Sequence, residues 1–409
     1  MGYAKQVAKG ISWLGAFRGM SRGISFVRTI ILARILTPSQ FGFFAIASLV
    51  LSFTELVTET GINIVLVQRR ENIDKYIDTA WVTSILRGFI VGLIILIAAP
   101  FVIYFFDMPQ ALPLILLMAV VPVIRGFINP SKIKLVKDLR FRDEFFYNII
   151  MFAVEFVVVV SVALITKSAA SLVWGLIAGA LFDVIASFIV FKPLPHVAFK
   201  KALFKDIIGS GKWLTATGIL SYAFQNIDNI VIGRMLGAAP LGLYDVSYRI
   251  SLLPLTEVTD VIGKASFPVF VKINNDIKRL KRAYLLSVSG ITSVSLVIGL
   301  ILFFFPEQII LLILGEKWLG AVQVLQLLSL VGISRAVFIS VVYPLYALNR
   351  QKVVTQLMFV SLVILGILIV PAVSMWGLIG AASAALISTL IVLPLAFYFV
   401  FKAFKTASL

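Results

Sequence analysis

The chain has 409 residues, 36 Lys and Arg against 19 Asp and Glu for a formal net charge of +17, one His and no Cys. Sixty per cent of it is apolar, only 13% is charged, and the mean hydropathy is +1.05. A soluble domain is about 45–50% apolar and about 25% charged, so this composition excludes a water-wetted surface and points to an integral membrane protein. The lack of Cys excludes disulfides, thiol chemistry and Cys-ligated metal, and His196 alone cannot build a multi-His site.

Apolar runs recur from end to end, each about long enough to cross ~30 Å of hydrocarbon as a helix. They predict twelve spans, at 10–33, 41–66, 79–105, 111–131, 145–166, 171–191, 212–234, 241–267, 283–305, 319–345, 352–371 and 377–401. The alternating pattern of an outer-membrane barrel is missing. Met1 to Gly10 carries two lysines and no cleavage site follows the first run, so a retained helix is expected there rather than a signal peptide.

On this map the basic residues are one-sided. Twenty-four fall on one face, in the N-terminal segment, in the loops around Arg69, Lys132, Lys200 and Lys278, and near the C-terminus; only Arg34, Lys167, Arg234 and Lys317 fall on the other. The positive-inside rule then puts both termini in the cytoplasm. The outer loops are too short to form a catalytic domain. The longest inner loop, near Pro193 to Gly211, reads as a linker at mid-chain.

An internal repeat divides the chain at the same place. Arg34-Ile35-Leu36 with Gly42 and Phe44 recurs as Arg234-Met235-Leu236 with Gly242 and Tyr244. Arg125 and Arg140 recur as Arg335 and Arg350, and Trp174-Gly175-Leu176-Ile177 recurs as Trp376-Gly377-Leu378-Ile379. The expected architecture is all-α, with about twelve transmembrane helices in two six-helix lobes related by a pseudo-twofold along the membrane normal. Residues 1–192 form one lobe, 193–211 a cytoplasmic linker, and 212–409 the other. A substrate path between halves is the transporter pattern.

Eight cations remain inside the spans: Arg18, Arg22, Arg28, Arg87, Arg125, Arg249, Lys264 and Arg335. A charge at mid-bilayer costs at least ~2.5–3.5 kcal/mol, so these should face a bundle interior or a water-filled cavity. Arg87 is near a span end and can snorkel to the interface, and Arg249 can pair with Asp245 four residues earlier. The rest suggest a cationic cavity, with Arg125 and Arg335 facing each other across the axis. Because guanidinium binds phosphate bidentately, an anionic, phosphate-bearing headgroup is the expected cargo.

The buried acids Glu55, Glu59, Asp228, Glu257 and Asp260 either neutralise these cations or carry a proton or Na+ during transport. Asp228 is the repeat equivalent of Arg28, which suggests an ion pair. Glu155 and Asp183 lie on spans with no other charge and receive no role. Gln225, Asn226 and Asn229 suit a lumen-facing helix that contacts sugar hydroxyls, or else hydrogen bonds between helices. Gly15, Gly19 and Gly23 make a face for close helix packing. Gly209-Ser210-Gly211-Lys212 lacks the earlier Gly and the Ser/Thr of a phosphate loop, and no catalytic constellation is present, so neither ATP hydrolysis nor an enzyme is expected.

Three stretches carry a family resemblance: LARILTPSQFGFFAIASLVLSFTELVTETGINIVLVQR (Leu32 to Arg69), QNIDNIVIGRMLGAAPLGLYDVSYRISLLPL (Gln225 to Leu255) and GEKWLGAVQVLQLLSL (Gly315 to Leu330). They resemble the polysaccharide transporter family, the Wzx-type flippases of the superfamily that also holds MATE drug exporters and the lipid II flippase. The resemblance implies a MATE-like V-shaped fold in the cytoplasmic membrane and movement of undecaprenyl-diphosphate-linked oligosaccharide for O-antigen or exopolysaccharide. It implies that the lipid diphosphate sits on Arg18, Arg22, Arg28, Arg125, Arg249, Lys264 and Arg335, with the prenyl tail in membrane lipid. Further expectations are polysaccharide polymerase partners, a monomer, no cofactor and no nucleic acid. Some relatives have two further C-terminal helices, so a tail groove built from them is not expected. The alternative is a MATE-like cation-coupled exporter of drugs, which should have an acidic cavity.

Overall fold

The computed structural model describes residues 3–59, 66, 73–204, 211–273 and 276–407, and these are mostly helical, with an irregular stretch at 191–200 and no strand among them. Among the described residues, eight stretches are long and apolar enough to cross a membrane. In hydrocarbon a helix satisfies its own backbone hydrogen bonds, which is why such runs fold this way. The chain falls into two compact units, Met1–Gln225 and Asn226–Leu409.

The first unit begins with α1 (Tyr3–Ile35) and α2 (Pro38–Val57), followed by α3 (Asp74–Phe106). Pro38 opens α2 where no backbone donor is needed, and the Gln40 Oε1 accepts from the Thr37 N–H at 2.9 Å. α2 stops at Val57 rather than continuing to 66. The Thr58 hydroxyl there turns back onto the Thr54 carbonyl, 2.7 Å away, and the helix is capped. The expected span at 111–131 is a helical stretch over Pro109–Gly126 long and apolar enough to cross a membrane, made of α4 (Leu112–Met118) and α5 (Val120–Gly126) with Ala119 between them in the helical backbone region. Pro122 has no N–H to offer the Met118 carbonyl.

α6 (Lys134–Lys137), α7 (Phe141–Thr166) and α8 (Ala170–Val190) complete the bundle of this unit. α3 meets the 109–126 segment backbone to backbone. A Cβ at Gly92 would lie 2.9 Å from the Ala119 carbonyl oxygen and one at Gly126 2.8 Å from that of Ser84, while one at Gly88 would overlap the Pro122 carbonyl. The small-residue face that packs is therefore Gly88 and Gly92. The face expected on α1 does not: among the described residues a Cβ at Gly15, Gly19 or Gly23 meets nothing within 4 Å.

α9 (Gly211–Leu236) crosses the boundary between units, and the second unit continues with α10 (Ala238–Lys272), α11 (Ile277–Phe304), α12 (Pro306–Ile313), α13 (Val322–Ala347) and α14 (Gln351–Ala407). A 57-residue helix would be about 85 Å long. α14 instead reverses at Gly377, where φ is 56° and ψ −131°, a conformation open to glycine. Gly380 then lies so close to Ala372 that a Cβ would overlap its carbonyl oxygen. Val354 and Leu357 from before the reversal share one core with Val392, Ala396 and Val400 from after it, together with Phe270, Tyr284 and Leu345.

Each unit repeats the other's local geometry. α1 and α2 meet at Leu36-Thr37 as α9 and α10 meet at Leu236-Gly237. Leu139 and Asn349, 210 positions apart like Arg125 and Arg335, both hold φ at 56°. Both close a helix in the same way, Arg140 N–H reaching the Leu135 carbonyl at 2.8 Å and Arg350 N–H the Leu345 carbonyl at 2.7 Å, the six-to-one bond of a Schellman turn. The Trp-Gly-Leu-Ile copies differ: Gly175 is inside α8, whereas Gly377 makes the reversal.

Candidate functional site

The first unit contains a cavity of about 720 Å³ between the end of α2, the 84–91 stretch of α3 and the 122–136 segment. Seven charged side chains line it: Arg87, Arg125 and Lys132 against Glu55, Glu59, Glu144 and Asp183. α2 carries Glu55, and Glu59 follows just past its C-terminal cap, toward α3 and α5. Arg125 Nη1 lies 3.0 Å from Glu55 Oε1. Arg87 Nη2 lies 3.4 Å from Glu59 Oε2 and donates to the Glu55 carbonyl at 2.6 Å. Arg87 is thus a cavity residue rather than a snorkelling one.

At the other end of the cavity Lys132 Nζ lies 3.1 Å from each oxygen of Asp183. The ammonium also sits 4.5 Å from the centre of the Tyr147 ring, within cation–π range, and the Tyr147 hydroxyl donates to Asp183 Oδ1 at 2.6 Å. Asp183, with a side chain 9% exposed, is a carboxylate that needs such partners to stay buried. Lys132 is therefore no solvated loop cation. Its loop is clasped by Asn129, fully buried, whose Nδ2 donates to the Phe191 carbonyl at 3.2 Å, and by Ser131, whose hydroxyl donates to the Pro193 carbonyl at 2.8 Å.

Other expected site residues are held locally. Arg28 pairs with Glu155 across α1 and α7, side chains 21% and 11% exposed. Arg249 Nε is 2.9 Å from Asp245 Oδ2. Arg18 and Arg22 are exposed on α1, as is Gln225 on α9.

In the second unit Asp228, 1% exposed, accepts from the Tyr244 hydroxyl and from the Asn229 N–H, each at 2.9 Å. Arg335 Nη1 donates to the Tyr248 hydroxyl at 2.6 Å, its guanidinium over that ring. Asp228, Tyr244, Tyr248 and Arg335 thereby form one polar seam through α9, α10 and α13, with the half-buried Asn226 and Asn229 on α9 beside it. The side chains of Glu257, Asp260 and Lys264 lie outside the described residues, as do Gly209 and Ser210.

Sequence reasoning missed Tyr147 and Glu144, and left Glu155 and Asp183 without a role. A lone acid on an apolar span requires a partner from elsewhere, and that signal was readable; which partner was not. Among the described residues no group of three or more His, Cys, Asp or Glu is gathered as for a metal.

Comparison with known proteins places this geometry in a family. The polysaccharide biosynthesis protein family matches residues 31–323. An uncharacterized membrane protein in the cps region of Klebsiella pneumoniae is 27% identical over 93% of this chain and 79% of its own length. The lipopolysaccharide biosynthesis protein WzxC of Escherichia coli is 25% identical over 96% and 79%. In fold, the chain is similar to the lipid II flippase MurJ in an inward closed conformation (TM-score 0.76, 16% identity, 97% of this chain and 90% of that one). It is equally similar to an inward-facing MATE multidrug transporter of the MOP superfamily (TM-score 0.74, 15% identity, 94% of each). A multi-pass membrane protein with this fold and this match over most of its length belongs to the polysaccharide biosynthesis protein family.

Proposed function

We propose that the chain is a flippase that moves lipid-diphosphate-linked oligosaccharide repeat units across the cytoplasmic membrane by alternating access, for cell-surface polysaccharide. The observation that carries this is the likeness over nearly the whole chain to WzxC, named for lipopolysaccharide biosynthesis. TuaB of Bacillus subtilis, named for teichuronic acid biosynthesis, and ExoT of Rhizobium meliloti, named for succinoglycan transport, support the same reading. Fold alone does not separate it from a drug exporter, since the MATE and MurJ likenesses are equal. The relatives' names favour a polysaccharide cargo.

The excess of cytoplasmic Lys and Arg supports termini inside the cell. Arg18 and Arg22, exposed and one turn apart on α1, offer guanidinium groups in the arrangement a diphosphate would meet. Coupling to H+ or Na+, with Asp228 as carrier, and work as a monomer beside a polymerase belong to the same proposal.

The test is reconstitution into liposomes and measurement of a lipid-diphosphate oligosaccharide passing between leaflets. Protein-dependent transfer, slowed by Arg18→Ala with Arg22→Ala, is expected. Transfer no faster than in protein-free liposomes overturns the proposal.

A further inference from the structure

We infer that the cavity of the first unit is a subsite for the glycan of the cargo, and not for its diphosphate; this rests on the flippase reading. Every cation lining it already holds a carboxylate: Arg125 holds Glu55, Arg87 holds Glu59 and Lys132 holds Asp183. At Lys132 a dianion would have to displace the Asp183 carboxylate, 9% exposed, and leave it buried without its cation, which is strongly unfavourable. With four acids against three cations, the lining favours no anion.

The fourth acid points the same way. Glu144 lines the cavity, and its Oε2 is buried with no hydrogen-bond partner among the described residues. An unanswered buried acceptor is relieved only by a donor. A fully ionised diphosphate has none. A sugar hydroxyl both donates and accepts, so it satisfies Glu144 and bridges an existing pair without breaking it. The hydroxyls of Ser52 and Ser84 add neutral partners, and aliphatic side chains such as Leu56 and Ile133 offer surface to the C–H faces of a ring. At about 720 Å³ the space is that of an organic ligand site, commonly ~300–1,000 Å³, far more than a single cation fills. Arg125 becomes on this reading a glycan-positioning residue.

The absence of native Cys makes Ser52→Cys a unique reporter thiol in the cavity. The full chain carrying it is reconstituted, and maleimide labelling is timed with four probes. These are lipid-linked oligosaccharide extracted from producing cells, the glycan released from it by mild acid, inorganic pyrophosphate, and sodium chloride. The first two should slow labelling severalfold and the last two should not; adding Glu144→Gln should weaken glycan protection about tenfold, the loss of a charged hydrogen bond. Protection by pyrophosphate makes the cavity a phosphate site, and protection by sodium alone an ion site; either overturns the inference. If the lipid-linked cargo is translocated yet neither it nor its glycan slows labelling, the subsite fails while the flippase reading stands. If the cargo is not translocated, the flippase reading itself has failed. The protection measurement needs only Ser52→Cys, so it decides the matter even where Glu144→Gln does not fold.

Discussion

Lys132 Nζ sits 3.1 Å from both carboxylate oxygens of Asp183, a residue 51 positions away on another helix, and 4.5 Å from the Tyr147 ring centre. A carboxylate in the middle of an otherwise uncharged span is tolerated because a lysine from a neighbouring loop reaches in to meet it. The same contact fixes the wall of the cavity.

Breaking that pair should be costly. Asp183→Ala leaves an ammonium half-buried beside an aromatic ring, and removal of one partner of a buried pair costs about 3–5 kcal/mol. A thermal melt of the purified protein in detergent should show a large fall, partly restored by exchanging the two residues (Lys132→Asp with Asp183→Lys). An unchanged melting temperature would mean that the pair contributes nothing.

The Arg28–Glu155 contact joins α1 to α7 at low exposure. A double-mutant cycle with Arg28→Met and Glu155→Gln should return a coupling of about 0.5–3 kcal/mol, the range for contacting residues. Additive single effects in denaturant titrations would show that each residue is held by something else.

Glycine substitutions should rank by what the new methyl meets. At Gly380 it overlaps the backbone carbonyl of Ala372, which cannot swing away, whereas at Gly175 it meets the Val159 side chain. Gly175→Ala should cost about 1–3 kcal/mol as overpacking, and Gly380→Ala more. Comparing the two melting temperatures tests the order; equal losses would contradict the tight reversal at Gly377.

Leu139 and Asn349 hold the same left-handed backbone, a conformation that costs a branched or bulky residue about 1–2 kcal/mol and asparagine less. Leu139→Asn should therefore be neutral or stabilising by up to about 1 kcal/mol, while Asn349→Leu should destabilise by a similar amount. Chemical denaturation of both variants checks the sign; destabilisation by Leu139→Asn would show that its apolar contacts outweigh the strain.

The sequence by itself determined the membrane class, the helices and the duplication. Each rests on local or periodic information: runs long enough to cross hydrocarbon, cations collected on one side, and residues such as Arg34 and Arg234 recurring at a constant spacing. It also foresaw Arg249 on Asp245, because an i,i+4 pair is set by the helix repeat alone. It did not foresee where α2 ends, since a side-chain cap at Thr58 acts against an apolar pattern that continues through it. Only the tertiary structure decided the charge pairing. Glu55, Glu155 and Asp183 meet Arg125, Arg28 and Lys132 from 51 to 127 positions away, and no spacing rule reaches across helices whose order in the bundle is set by packing. That pairing is why an excess of buried cations, read along the chain as an anion trap, becomes in the folded first unit a neutralised polar cavity.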